Sequence, residues 1–344
     1  MKLKEKLIPI TILLAVVAGY VYINYFGANV PENLQEEGYL KIPDGSSLQD
    51  VENLLKSKHF IEDEQSFNTW AKYLEYNNPR AGRYKITPGW SSYELVHHLQ
   101  RGEQAPLKIT LNNERNLRQL SSKLCKYLEP DSATFIQTFT DKAFLDSVGA
   151  TESTLMSHLF ANTYEFYWNT TPESFLDKMH KEYKKFWTEK RLLRARMMGL
   201  TPEQVYTMAS IVEGESTHVD EFPRIAGTYL NRLTQHIKLQ ADPTVQYALI
   251  DVNGGGYRRL YNVDYQFPHP YNTYLHEGLP PGPVSIASSQ AIEAVLNAET
   301  NNYMFFVARP DNSGYHNFAE TFEAHQVNVK HYQDWMAQKD RKGS

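Results

Sequence analysis

Two glutamates separated by one glycine, Glu213-Gly214-Glu215, close an otherwise apolar segment that runs from Val205 to Val212. At 3.6 residues per turn, Val205, Met208, Ala209, Val212 and Val219 share one helix face. Glu215 and Ser216 fall within or beside that stripe, while Glu213 points off it, about 100° round from Val212. A carboxylate set on an apolar face is desolvated, and its pKa rises. An acid that keeps its proton near neutral pH can give it to a glycosidic oxygen. Geometry therefore makes Glu215 the candidate acid and Glu213 the secondary candidate. A mid-helix glycine costs ~1 kcal/mol, so Gly214 needs a reason, and close approach of a ligand is one.

Polar and aromatic motifs follow. In Leu239-Gln240-Ala241-Asp242-Pro243-Thr244-Val245-Gln246-Tyr247, the Asp-Pro pair opens a helix with Asp242 as a natural cap. Tyr271-Asn272-Thr273-Tyr274 precedes a loop stiffened by Pro and Gly, Gly278 to Pro283. Two aromatic rings beside an amide on a rigid loop suit a preorganised sugar-binding wall. The candidate substrate-binding residues are Ser216, Gln240, Asp242, Thr244, Tyr247, Tyr271, Asn272 and Tyr274. Cys125 is the only cysteine and sits in an amphipathic helical pattern, and His316 and His325 read as structural. No HExxH, paired-cysteine or G-x-S-x-G pattern occurs, so neither a metal nor an organic cofactor is expected. A net charge of −5 without a lysine/arginine block argues against a nucleic-acid partner.

The elements that position these residues follow from caps and periodicity. Thr201-Pro202-Glu203-Gln204 is a helix start with a reciprocal cap. Upstream, the spacing predicts helices over 64–76, 116–129, 131–140 and 172–198, a strand at Leu107–Leu111, and near the end a strand at Tyr303–Ala308 and a helix over 320–337. An internal echo stands out in the first third. Ile42-Pro43-Asp44-Gly45-Ser46-Ser47 and Ile86-Thr87-Pro88-Gly89-Trp90-Ser91-Ser92 each read as strand, turn and capped helix.

At the N-terminus, Lys2, Lys4 and Lys6 precede an apolar run from Leu7 to Phe26. Twenty residues at ~1.5 Å rise match a ~30 Å hydrocarbon layer, and the lysines set the N-terminus inside. The expected plan is a cytoplasmic tail over 1–6, a transmembrane helix over 7–26, a linker over 27–38, a small α/β module over 39–105 and a catalytic domain over 107–337. The fold class is α+β. The chain is expected in the cytoplasmic (inner) membrane as a single-pass protein, with everything after residue 26 outside.

Ala209-Ser210-Ile211-Val212-Glu213-Gly214-Glu215, Leu239 to Val245, Tyr271 to Tyr274 and Gly278-Leu279-Pro280-Pro281-Gly282 occur in order and at fitting distances. Together they closely resemble the endolytic murein transglycosylase family, MltG or YceG-like, across essentially the whole chain. The resemblance implies an N-terminal membrane helix, a LysM-like module and a catalytic domain. It implies lytic cleavage of the MurNAc–GlcNAc β-1,4 bond inside nascent peptidoglycan strands, with 1,6-anhydro-MurNAc ends, termination of strand elongation, and a place beside cell-wall synthases. The family's catalytic glutamate falls on Glu215. Two departures are visible. The family's Pro-Asp-Thr-Tyr reads Ala161-Asn162-Thr163-Tyr164 here, and its frequent lysine between the glutamates is Gly214. Two rival functions keep the same residues. A hydrolytic muramidase needs a second carboxylate, with Glu213, Asp242 or Glu221 as candidates, and a non-catalytic peptidoglycan-binding scaffold would work through the small module.

Overall fold

A computed structural model describes residues 12–19, 22, 26–34 and 38–342. The chain divides into two compact units. The first holds the described residues up to Ile109 with Tyr127–Pro130 and Glu165–Thr171; the second holds Thr110–Lys126, Asp131–Tyr164 and the chain from Pro172 onward.

In the first unit the chain runs β1 (Tyr39–Ile42), α1 (Leu48–Ser57), α2 (Glu64–Tyr73), β2 (Gly82–Lys85) and α3 (Ser92–Arg101). The echo seen in the sequence has a structural counterpart. Antiparallel β1 and β2 pair Leu40 with Tyr84 and Ile42 with Gly82. Each leads into a helix closed by a reciprocal cap, Ser47 with Asp50 and Ser91 with Glu94. The helices bury Val51, Leu55, Phe67, Leu95, Val96 and Leu99 against the strand residues Leu40, Ile42 and Tyr84. Residues 27–38 were expected as a linker, yet Asn29 and Val30 are buried in this unit. The Asn29 amide donates to Asp63 O (2.8 Å) and Ser92 Oγ (2.7 Å), and its Oδ1 accepts from Asp63 N.

Next come β3 (Leu107–Leu111), α4 (Leu117–Leu124), α5 (Ser132–Phe139), α6 (Lys142–Val148), β4 (Asn162–Phe166), α7 (Pro172–Phe186), α8 (Glu189–Met197), α9 (Pro202–Glu215), α10 (Phe222–Thr234), α11 (Asp242–Asn253), α12 (Ser289–Leu296), β5 (Phe305–Ala308), β6 (His316–Ala319) and α13 (Phe322–Lys342). Strands β3 and β4 pair with each other, and β5 and β6 form an antiparallel hairpin that pairs Phe306 with Phe318. The segment 172–198 is two helices. Trp187 turns into the core, and Thr188 is extended and opens α8.

Helix α9 is the hub of the second unit. It packs against α10, α11 and α12, and every residue from Val205 to Val212 is buried. A helix enclosed all round must satisfy its polar groups internally. Thr207 Oγ1 donates to Glu203 O, Ser210 Oγ donates to Thr207 O and accepts from Val284 N, and Tyr206 Oη donates to Leu159 O and accepts from Ala287 N.

The expectation of a transmembrane helix over Leu7–Phe26 is corrected. Among the described residues no helix is long and apolar enough to cross a membrane. Within that run the described residues 12–19, 22 and 26 are helical. Residues 1–11, 20, 21 and 23–25 lie outside the described residues.

Candidate active site

Glu215 is the last residue of α9. The helix starts at Thr201, whose Oγ1 accepts from Gln204 N while Gln204 Oε1 accepts from Thr201 N, with Pro202 in the first turn. It stops because Ser216 is extended, at φ −140° and ψ 150°. Val219, placed on the apolar face by periodicity, therefore lies beyond the helix, in a short 3₁₀ turn at Val219–Glu221, and is exposed. Ser216 is buried, with its Oγ donating to Glu221 Oε2 (3.3 Å) and accepting from His218 N (3.0 Å).

Glu215 opens onto a cleft of about 360 Å³. Its walls come from α10 (Tyr229, Arg232), from Gln240 and Asp242 at the start of α11, from Tyr274, and from the hairpin residues 304–308 and His316. Burial pushes the Glu215 carboxyl up to about 8; a hydrogen bond from Tyr229 opposes the rise and the Asp242 charge adds to it. Tyr229 Oη donates to Glu215 Oε1 at 2.5 Å. The negative pole at the C-terminus of α9 also favours the neutral acid. Part of the residue stays open to the cleft, as a group that must reach a ligand requires. A ligand filling the cleft would remove the remaining water and reinforce the protonated form.

The other residues singled out from the sequence divide between cleft and scaffold. Gln240, Asp242 and Tyr274 line the cleft with Glu215. Tyr274 Oη donates to Asp242 Oδ1 (2.7 Å) and Tyr265 Oη to Asp242 Oδ2 (3.5 Å), so two phenols steady that carboxylate. Gln240 has a left-handed backbone, φ +53°, and its Oε1 accepts from Arg232 Nη2 at 2.6 Å. The Glu213 carboxylate accepts from Ser288 N (2.8 Å) at the cap of α12 and does not line the cleft. Asn272 and Thr244 are fully buried. The Asn272 amide donates to Tyr265 O and Phe267 O, and Thr244 Oγ1 donates to Ala241 O. Tyr247 and Tyr271 stack on each other 4.1 Å apart and line a different cavity. Asn162 and Tyr164, in the departing Ala-Asn-Thr-Tyr motif, lie on β4 and outside the cleft lining.

Gly214 has a steric reason. A Cβ there would come within 2.8 Å of the Pro243 ring. The close approach expected of a ligand is made by the chain itself, and it brings Asp242 to the acid.

Sequence reasoning missed Tyr229, Arg232, the hairpin wall and the role of His316. Tyr229 sits in an amphipathic pattern with the look of plain core. Arg232 is buried and bonds three carbonyl acceptors: Nε and Nη2 reach Lys238 O, Nη1 reaches Met304 O, and Nη2 reaches Gln240 Oε1 as well. Its signal was the Asn231-Arg232 pair inside an apolar helix, since a lone cation there must find acceptors. His316 Nδ1 meets Glu221 Oε2 at 2.9 Å, and Glu221 Oε1 accepts from His316 N. Glu221 is buried and also receives the Ser216 hydroxyl. Glu221→Ala would strand all three donors and is expected to lower stability by about 3 kcal/mol or more, read as a drop in melting temperature.

A pH profile tests the Tyr229 contact. The hydrogen bond from Tyr229 favours the charged form of Glu215, so Tyr229→Phe raises the acid's pKa further. Activity that requires the protonated acid falls on the alkaline side as pH passes about 8 in the wild type. That limb should move to higher pH in Tyr229→Phe. An unmoved limb would separate it from Glu215.

A carboxylic acid held neutral near pH 7, a second carboxylate in the same cleft and walls of aromatic rings are the equipment of a carbohydrate-cleaving acid–base enzyme. The sequence matches the YceG-like family over residues 40–331, and the chain belongs to that family. It is 28% identical over 312 residues to an endolytic murein transglycosylase of Bacillus subtilis, with 85% of this chain and 84% of that protein covered. A Streptococcus pneumoniae protein of the same name is 26% identical over 344 residues; the match covers 90% of this chain and 61% of that longer protein. The 2.6 Å crystal structure of a yceG-like protein from Listeria monocytogenes superposes with a TM-score of 0.58 at 28% identity, covering 84% of this chain and 97% of that one.

Proposed function

We propose that this chain is an endolytic lytic transglycosylase that cuts the MurNAc–GlcNAc β-1,4 bond within peptidoglycan strands and leaves 1,6-anhydro-MurNAc ends. The observation that carries the reading is Glu215, with a pKa pushed up to about 8 and facing a cleft lined by Asp242, Gln240 and Tyr274. The names of the relatives, endolytic murein transglycosylases, support the substrate and the reaction.

Glu215 starts protonated and gives its proton to the oxygen leaving C1. The C1–O bond breaks, and positive charge spreads over C1 and the ring oxygen. The sugar's own acetamido group and the Asp242 carboxylate steady that charge. Glu215, now a carboxylate, takes the proton of the C6 hydroxyl as O6 bonds to C1. The acid is restored without consuming water. Gln240, Asp242 and Tyr274 shape the sugar site, and Thr244, Asn272 and Ser216 hold their supports in place.

One observation favours a second reading. Of the three carboxylates considered as partners, Asp242 lines the cleft with Glu215, so it could activate a water and make the enzyme a hydrolytic muramidase. The mass of the products decides. The lytic reaction yields fragments whose masses sum to that of the strand, and hydrolysis adds one water per cut. Water-laden ends alone would overturn the lytic reading.

A further inference from the structure

The Tyr271–Tyr274 turn serves two cavities. Tyr274 lines the acid cleft, while Tyr271 lines a second cavity of about 510 Å³ with Asn116, Arg118, Glu152, Tyr247 and Asp251. Three residues of chain span at most about 11 Å at ~3.6 Å each, so the two cavities share one short turn as part of their walls. The back of the second cavity is rigid. The Tyr247 and Tyr271 rings stack at 22°. A Cβ on Gly282 would come within 1.9 Å of Ser153 O and 2.9 Å of the Tyr271 hydroxyl, so only glycine allows the loop to close there. Asp251 is steadied by Asn116 Nδ2 (3.4 Å) and His269 Nε2 (3.6 Å).

Arg118 and Glu152 differ from these fixed groups. Both are exposed at the rim, and neither side chain makes a hydrogen bond or ion pair among the described residues. A cation and an anion open onto one aromatic-backed cavity without pairing to each other. A neutral sugar would make use of neither charge. A short peptide carrying carboxylate and ammonium groups answers both, and the planar guanidinium suits a carboxylate in two-point contact.

We propose that this second cavity binds the short peptide hanging from the sugar strand, with Arg118 taking a peptide carboxylate and Glu152 a peptide amine. The assignment rests on the strand reading of the acid cleft. It makes the enzyme sensitive to whether a strand still carries its peptides.

The test uses the full chain and two substrates, peptide-bearing glycan strands and the same strands stripped of peptide by an amidase. The wild type should show a kcat/KM at least tenfold higher on the peptide-bearing strands. Arg118→Glu and Glu152→Lys should each bring that ratio close to one. Both positions are exposed, and unchanged melting temperatures confirm that the variants fold. A wild-type ratio near one, or a ratio that neither variant changes, overturns the proposal. Binding of the two strand types to the Glu215→Gln chain gives the same ratio without turnover. Failure of the acid assignment would thus appear as strands cut by the Glu215→Gln chain, and failure of the second cavity as equal binding.

Discussion

Glu215→Gln is expected to lower kcat on peptidoglycan strands about 10³-fold or more, with little change in KM. Glutamine keeps the size and the hydrogen bond with Tyr229 but has no proton to give, and general acid–base groups are worth about 10² to 10⁴ in rate. In the proposed mechanism one group serves as acid and then as base, which places the expected loss toward the upper end. A variant that retains wild-type release of anhydro ends would remove Glu215 from the mechanism. The same substitution has a signature in stability. An unfolded glutamate titrates near 4.5 and the folded Glu215 near 8. The folded state therefore holds the proton more tightly. The stability linked to Glu215 is fully present below pH 4.5 and is lost progressively as pH rises to about 8. Glutamine does not titrate. The melting temperature of Glu215→Gln should thus gain on the wild type between pH 4.5 and pH 9, with the sign set by a buried acid. An exposed glutamate would give parallel curves, so calorimetry across that range checks the burial independently of any substrate.

How much of this could be read in advance depends on the range over which each interaction acts. The start of α9 is local chemistry: Thr201, Pro202 and Gln204 lie within four residues and cap one another. The twin capped helices after β1 and β2 are legible for the same reason, with Ser47 and Ser91 each reaching a partner three residues on. The break between α7 and α8 was not legible, because Lys, Arg and Glu continue through it and only tertiary burial of Trp187 marks it. The single apolar stripe was too simple a picture of α9. The helix is enclosed on all sides, and Glu215 owes its environment to being its last residue, opposite Tyr229 and beside Asp242. Tyr229 is 14 residues from Glu215 and lies on another helix, so no periodicity within α9 could reveal it. The 271–274 motif reads as one wall, yet the turn sends Tyr274 to the cleft, Tyr271 to the second cavity and Asn272 into the scaffold. Which face of a turn each side chain takes is decided by packing from elsewhere in the chain.

Gly214→Ala should separate geometry from stability. Alanine favours a helix over glycine by about 1 kcal/mol, and its methyl group would meet Pro243 ring carbons at 2.8 Å. Proline is stiff and opens α11, so the relief comes from moving the start of that helix. Overpacking of this kind costs about 1 to 3 kcal/mol, which the helix preference partly offsets, and the melting temperature should change little. The site has no such offset. Asp242 directly precedes Pro243, receives the Tyr274 hydroxyl and adds its charge to the field at Glu215. A shift of about 1 Å at a reacting centre can cost 10²-fold in rate. The expected result is a kcat/KM lower by roughly that factor in a protein that melts close to the wild type. The alkaline limb should also move to lower pH, because distance from the Asp242 charge lets Glu215 ionise more easily. Full activity with an unshifted limb would mean that the approach of α11 to α9 does not set the acid, and that Gly214 answers only to packing.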